Sequence, residues 1–269
     1  MNNNFTDILV DDWDNGVLRI TINRPALRNA YRSHTAVELS QAIEEFSTND
    51  VYRVLVITGA GEAFCAGGDL KSSYEIDHAE EVQLGHGMVI REGMHRVMRQ
   101  LHLCDKPVIA MIRGPAIAGG LALALACDLR IADHTARLGD TSGRVGLLPD
   151  EGGAWLFPRA MGTDQALRMM WLGEVHGASQ ACRLGLITEV VDEHELESAV
   201  LELARRIVAS SAPLTTRIVK RMVRHGEQQT LDQALQEAEY AAGLINDSDD
   251  VREGVAAFVE RRVPHFSGR

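Results

Sequence analysis

Two short β-rich runs, each ending in glycine and leading on to a glycine pair, do most to limit what this chain can become. RVLVITG (Arg53 to Gly59) is followed within a few residues by EAFCAGGDLK (Glu62 to Lys71), and PVIAMIRG (Pro107 to Gly114) runs directly into GPAIAGGLALALACD (Gly114 to Asp128). Short apolar runs bounded by turn residues are expected as buried strands. GVLRITIN (Gly16 to Asn23) alternates apolar and polar residues instead, the pattern of a half-buried strand, and meets a turn at Arg24-Pro25. Ala36, Leu39, Ile43 and Phe46 then recur at helical steps. Strands alternating with helices give an α/β chain, and a 45% apolar content over 269 residues can bury a sizeable core.

The glycine pairs have a chemical reading beside a structural one. A glycine lets a backbone N–H approach a ligand unobstructed, and two such groups can hold an oxygen that becomes negative. Gly119-Gly120 opens an Ala/Leu-rich helix, where the first N–H groups lack intrahelical partners and face the positive end of the dipole. An ordinary glycine turn at Gly67-Gly68 and close helix–sheet packing at Gly119-Gly120 account for the same residues.

The net charge of −11 opposes binding along nucleic acid or an anionic membrane. The amino terminus carries acidic residues where a signal peptide carries basic ones, so a cytoplasmic protein without a membrane span is expected. Cys65, Cys104, Cys127 and Cys182 are scattered without a C-x-x-C pair, which reads as buried thiols and no metal site. Leu70 to Gln100 is charged, carries His78, His86 and His95, and is broken by glycines, as expected of a mobile wall over a pocket with its histidines at the surface. Leu196, Val200, Leu203 and Ile207 mark an amphipathic helix, so a boundary is drawn near Asp192, with residues 1–192 as core and 193–269 as a helical domain.

INRPALRNA (Ile22 to Ala30), FCAGGDLK, GPAIAGGLALALACD, VGLLPDEGGAWLFPRAMG (Val145 to Gly162), LGLITEVV and the terminal REGVAAFVERRVPHFSGR follow one another as in the crotonase (enoyl-CoA hydratase/isomerase) superfamily, which the chain resembles over nearly its whole length. That resemblance implies an α/β fold with a ββα spiral core and a carboxy-terminal α-helical domain that packs homotrimers, often paired into hexamers. It implies an acyl-CoA substrate and no dissociable cofactor, the coenzyme A being part of the substrate. By the same resemblance the oxyanion donors are Gly68 and Gly119, while Ala66 and Leu70 lie near the adenine. Arg28 and Lys71 are implied as phosphate contacts, and Phe258 and Arg261 as a tail reaching a neighbouring subunit's site. Arg24, Arg28 and Arg32 make a basic patch suited to that ligand.

The chain departs from hydratases that it resembles at two positions, where their glutamates are replaced by Ala122 and Ser142. Hydration needs acid–base groups flanking a water, and neither residue can supply one. Pro149-Asp150-Glu151-Gly152-Gly153 reads as an exposed turn by itself. Within the family Asp150 falls where isomerases carry their catalytic carboxylate, and its surroundings are most similar to the ring-epoxide and enoyl-CoA isomerase of phenylacetyl-CoA breakdown. Asp150 is therefore expected as the base ahead of Glu151, because neighbours on a turn usually point apart, and Leu147, Leu148 and Trp155 are expected as an apolar wall beside it. The implied reaction is isomerisation of a 3-enoyl-CoA or ring-epoxide acyl-CoA through a thioester enolate. Hydration and C–C hydrolysis on the same scaffold are its alternatives. RNA binding through Arg217, Lys220, Arg221 and Arg224 is opposed by the overall charge.

Overall fold

The structure, a computed structural model, describes residues 4–70 and 85–268. A hairpin of β1 (Ile8–Asp14) and β2 (Val17–Ile22) begins a six-stranded sheet, continued by β3 (Val54–Gly59), β4 (Val108–Ile112), β6 (Leu129–Asp133) and β9 (Glu189–Val191) in that order. In this sheet, among the described residues, the β1–β2 pair is antiparallel and the other pairs are parallel. A second sheet of three strands holds β5 (Pro115–Ile117), β7 (Arg137–Gly139) and β8 (Val175–Gly177). Twice the chain lays one strand in the large sheet, the next in the small one, and then turns helical, which is the expected strand–strand–helix spiral.

The runs read as buried strands are buried on both faces. Leu55 and Ile57 of β3 pack with Leu39, Ile43 and Phe46 of α1 (Ser33–Thr48), while the alternate residues Val54 and Val56 pack on the opposite side with Ile109, Ile131 and α8 (Leu196–Ser210). α8 meets the sheet through Leu196, Val200 and Ala204, so the first helix beyond Asp192 belongs to the core's second layer. Between them lie α2 (His86–Glu92), α3 (Met94–Leu103), α4 (Gly119–Ala126), α5 (Gly153–Met161), α6 (Thr163–Leu172) and α7 (Ala178–Arg183).

Beyond α8 come α9 (Pro213–Gly226), α10 (Leu231–Asn246) and α11 (Asp249–Glu260). Neither α9 nor α10 has a fully buried residue, and α10 presents Leu231, Leu235 and Leu244 to solvent. The basic side of α9 is used within the chain: Arg217 pairs with Asp105 at 3.0 Å, and Lys220 and Arg224 share Asp128 at 2.6 and 2.9 Å. These pairs leave little of the positive patch that an RNA phosphate would need. Among the described residues, no helix is long and apolar enough to cross a membrane.

At the other end of the sheet Asp7, next to β1, clamps the start of α1. Its carboxylate accepts two bonds from Arg32, both 2.8 Å, and one from Thr35 at 2.6 Å, with Arg24 at 3.7 Å. Burial pushes this carboxyl up, but the hydrogen bonds and charges of Arg32, Thr35 and Arg24 outweigh it and leave it below the ordinary aspartate range. Stability from such a group is present above the unfolded pKa and is lost as pH falls through the lower folded value. Asp7→Asn should therefore cost about 3 kcal/mol of unfolding free energy near neutrality, as for other broken buried pairs. In urea denaturation the gap to the parent protein should close as pH falls below about 4.

Candidate active site

The site is assembled from three loops at the carboxyl ends of the strands. In the first, Pro25–Leu27 makes a 3-10 turn and the chain then passes through left-handed conformations at Arg28 and Asn29, with φ of 51° and 57°. Asparagine tolerates this because its short amide bonds locally. The Asn29 carbonyl oxygen accepts from the Arg24 N–H at 2.9 Å, and its amide nitrogen donates to the carbonyls of Ala60 and Ala63 at 2.9 and 2.6 Å. Those carbonyls belong to the loop after β3. The two loops are joined again by Arg24 and Asp69 at 2.8 Å, and by Tyr31, whose N–H donates to Gly67 and whose carbonyl accepts from Asp69.

The loop after β3 is joined in turn to the loop before α4. Cys65 donates to Pro115 and accepts from Ile117, both at 3.0 Å. The glycine pair that opens α4 divides the two roles foreseen for it. A side chain on Gly120 would run into the backbone carbonyl of Cys65, so this glycine serves close packing. A side chain on Gly119 would instead collide with the carboxylate of Glu151 and the hydroxyl of Tyr31, so this residue faces the site. Gly68 lies on the same hydroxyl, a β-carbon there falling 3.6 Å from it. Among the described residues neither the Gly68 nor the Gly119 N–H has a protein acceptor, and Gly119 begins the helix.

The adjacent carboxylates take different surroundings. Glu151 is buried at 8% exposure, and its Oε1 accepts a hydrogen bond from Tyr31. Asp150 is half-buried, with its backbone carbonyl accepting from His95 Nε2 at 2.6 Å. The Asp150 carboxyl is near enough to Glu151 for its charge to bear on it. Two carboxyls this close are held more easily when one carries a proton, which burial favours. Burial pushes the Glu151 carboxyl up to about 7; Tyr31 opposes this and Asp150 reinforces it. The expected apolar wall is different: Leu147 and Leu148 are exposed, and Trp155 is flanked by Arg159 at 3.9 Å and His102 at 5.7 Å. The helix of His95 is no mere surface, since its imidazole ties α3 to the acidic turn.

Ala122 is fully buried, and the Ser142 hydroxyl is spent on Asp140 at 2.7 Å. Arg28 and Leu70 are exposed, Ala66 is half-buried, and the Ala66 N–H donates to the Arg28 carbonyl at 3.0 Å, so Arg28 and Ala66 lie together at the edge of the site. The patch of three arginines reduces to Arg28, because Arg24 and Arg32 are engaged by Asp69 and Asp7. Lys71 and His78 lie outside the described residues. Phe258 and Arg261 are exposed at the end of α11, where Arg261 is left-handed at φ 57°. Sequence reasoning missed Tyr31: its carboxylate partner is 120 residues away, and no local pattern marks the pairing.

The family described as Enoyl-CoA hydratase/isomerase matches residues 12–269. A 1,2-epoxyphenylacetyl-CoA isomerase of Escherichia coli K12 is 33% identical over 98% of this chain and 99% of its own. A short-chain-enoyl-CoA hydratase of Clostridium acetobutylicum is 34% identical over 90% and 91%. The crystal structure of an enoyl-CoA hydratase from Bacillus anthracis superposes with a TM-score of 0.92 at 32% identity, covering 98% of this chain and all of that one.

Because a side chain at Gly119 would displace both Glu151 and Tyr31, alanine is enough to probe it. Gly119→Ala keeps the N–H but crowds the oxyanion position and pushes Glu151 and Tyr31 aside, so kcat should fall by about a hundredfold, as much as the loss of one oxyanion donor. Since the obstructing groups are side-chain ends, its melting temperature should fall by only a few degrees, about 1 kcal/mol. Full activity would remove Gly119 from the reaction centre.

Proposed function

We propose, from the premise that the chain belongs to the enoyl-CoA hydratase/isomerase family, that its reaction is proton transfer at C2 of an acyl-CoA whose thioester oxygen is held by the N–H groups of Gly68 and Gly119. The chain is an acyl-CoA-processing enzyme of that family. The observation that carries the reading is the buried carboxylate of Glu151 against Gly119, at the amino end of α4. An oxygen made negative there meets free N–H groups and the positive helix end, while the carboxylate beside it takes the proton that leaves C2.

Isomerisation needs one carboxyl centre. Glu151, with Asp150 as the neighbour that shares its proton, removes the C2 proton of a 3-enoyl thioester and returns it at C4, giving the 2-enoyl product. Glu151 is preferred to Asp150 as the acting base because it is the more buried and the nearer to Gly119. Ala122 and Ser142 favour this chemistry over hydration, which needs two separated acid–base groups. Hydration is the second reading, and the names of the Clostridium and Bacillus relatives favour it. It would require Asp150 and Glu151 together to activate a water for C3 and protonate C2 of a 2-enoyl thioester.

Arg28, Ala66, Leu70 and Lys71 are the proposed contacts of the coenzyme A moiety. Self-association as a trimer or hexamer through the carboxy-terminal helices would cover Leu231, Leu235 and Leu244 and bring Phe258 and Arg261 to a neighbour's ligand. Truncation after Gly254 should then weaken acyl-CoA binding in calorimetry and lower the sedimentation coefficient together.

Turnover of 3-enoyl-CoA and hydration of crotonyl-CoA by the same preparation test the main reading against the second. Faster isomerisation is expected, and efficient hydration without isomerisation would make the protein a hydratase. With Glu151 as base, kcat should rise as pH is raised through about 7, because the carboxylate form is required. Glu151→Gln should lower kcat by about a hundredfold or more. Asp150→Asn should move the acidic limb to lower pH, since it removes a neighbour that holds Glu151 up. Loss of activity only in Asp150→Asn would return the base to Asp150.

A further inference from the structure

Tyr31 sits where three parts of the proposed site meet, and no step above assigns it a task. Its backbone is fixed on both sides: N–H to Gly67 at 2.9 Å, and carbonyl from Asp69 at 2.8 Å, in a parallel bridge with Gly68. The ring therefore moves with the loop that carries the Gly68 N–H. Its hydroxyl donates to Glu151 Oε1, and both groups occupy the space into which a Gly119 side chain would project. A phenol has one proton to donate, and here it goes to the carboxylate.

We propose that Tyr31 is a positioning residue for proton transfer, its hydroxyl holding the Glu151 carboxylate against Gly119 in the ionised, proton-accepting form. The inference rests on the reading of Glu151 as the base. Burial and the neighbouring Asp150 carboxyl both press Glu151 to stay protonated, and among the described residues the hydrogen bond from Tyr31 is the side-chain contact that opposes them. Tyr31 remains the donor, since burial and then the Glu151 charge push its own ionisation well upward. The other groups facing the pair are the Cys65 thiol, which burial keeps neutral, and Asp150. His95 reaches the backbone carbonyl of Asp150. The effect is a trade between affinity for the proton and geometry: the bond lowers the basicity of Glu151 but keeps it ionised and aimed at neutral pH.

The test is the pH dependence of kcat for Tyr31→Phe, measured on the 3-enoyl-CoA or crotonyl-CoA substrate that the parent enzyme turns over faster. At pH 7, kcat should fall at least tenfold while KM changes less than about threefold, because the tyrosine acts through Glu151. The acidic limb should move to higher pH, and part of the lost rate should return in alkaline buffer. A lower kcat with an unmoved limb, or an unaltered profile, would overturn the proposal and leave Tyr31 a structural residue. Incorporation of 3-fluorotyrosine at position 31 keeps the shape and strengthens the donor, so it should move the limb the opposite way; a shift in the same direction as Tyr31→Phe, or none, also overturns it. This second variant decides the matter if Tyr31→Phe does not fold. Infrared titration of the carboxyl band that disappears in Glu151→Gln reads the same midpoint without turnover. Undiminished activity of Glu151→Gln would sink the assignment of the base itself, whereas an inactive Glu151→Gln with an unmoved fluorotyrosine midpoint would sink only the role of Tyr31.

Discussion

Arg24 reaches across to Asp69 at 2.8 Å, both side chains nearly closed off from solvent, and so ties the loop that carries Tyr31 to the loop that carries Gly68. Everything at the site depends on that junction. A buried pair of this kind gains little over an apolar contact, since desolvation offsets most of the attraction. Its worth lies in direction: a guanidinium fork has to meet the carboxylate, and the amide of Asn29 has to meet Ala60 and Ala63, in one arrangement of the two loops. Slippage by a residue would strand an ion and several backbone groups without partners.

The same junction explains the reversal of expectation for the arginines. A cluster of basic residues in an acidic chain looks like a ligand site, and two of its members turn out to be structural. Asp7 takes Arg32 and fixes the start of α1, Asp69 takes Arg24, and Arg28 alone is turned outward, by a left-handed turn. The acidic chain thus spends its cations on internal order at both ends of the sheet, with Asp128 gathering Lys220 and Arg224 at the other.

Around Glu151 the forces are opposed rather than cooperative. Burial and the Asp150 carboxyl favour the protonated form, and Tyr31 favours the charged one. The balance falls at about 7, where a carboxyl can both accept and return a proton. That midpoint belongs to an arrangement of three chain segments: the hydroxyl comes from before α1, the glycine from the first turn of α4, and the carboxylate from before α5.

Periodicity and punctuation were sufficient for an α/β chain, and the spiral came with the family resemblance. The apolar runs at Arg53 to Gly59 and Pro107 to Gly114 could be satisfied only by burial, and the Ala/Leu run after Gly119-Gly120 only by a helix starting there. Ordered motifs across the chain carried the family. Sequence favoured Asp150 over Glu151 and could not reveal the pairings of Tyr31 and His95 with the acidic turn, because these depend on which side chains share a small volume once residues 55 to 120 positions apart have been brought together. A local pattern records the backbone each residue prefers. Burial and proximity, which set the acidity of a carboxyl, exist only once the loops are brought together.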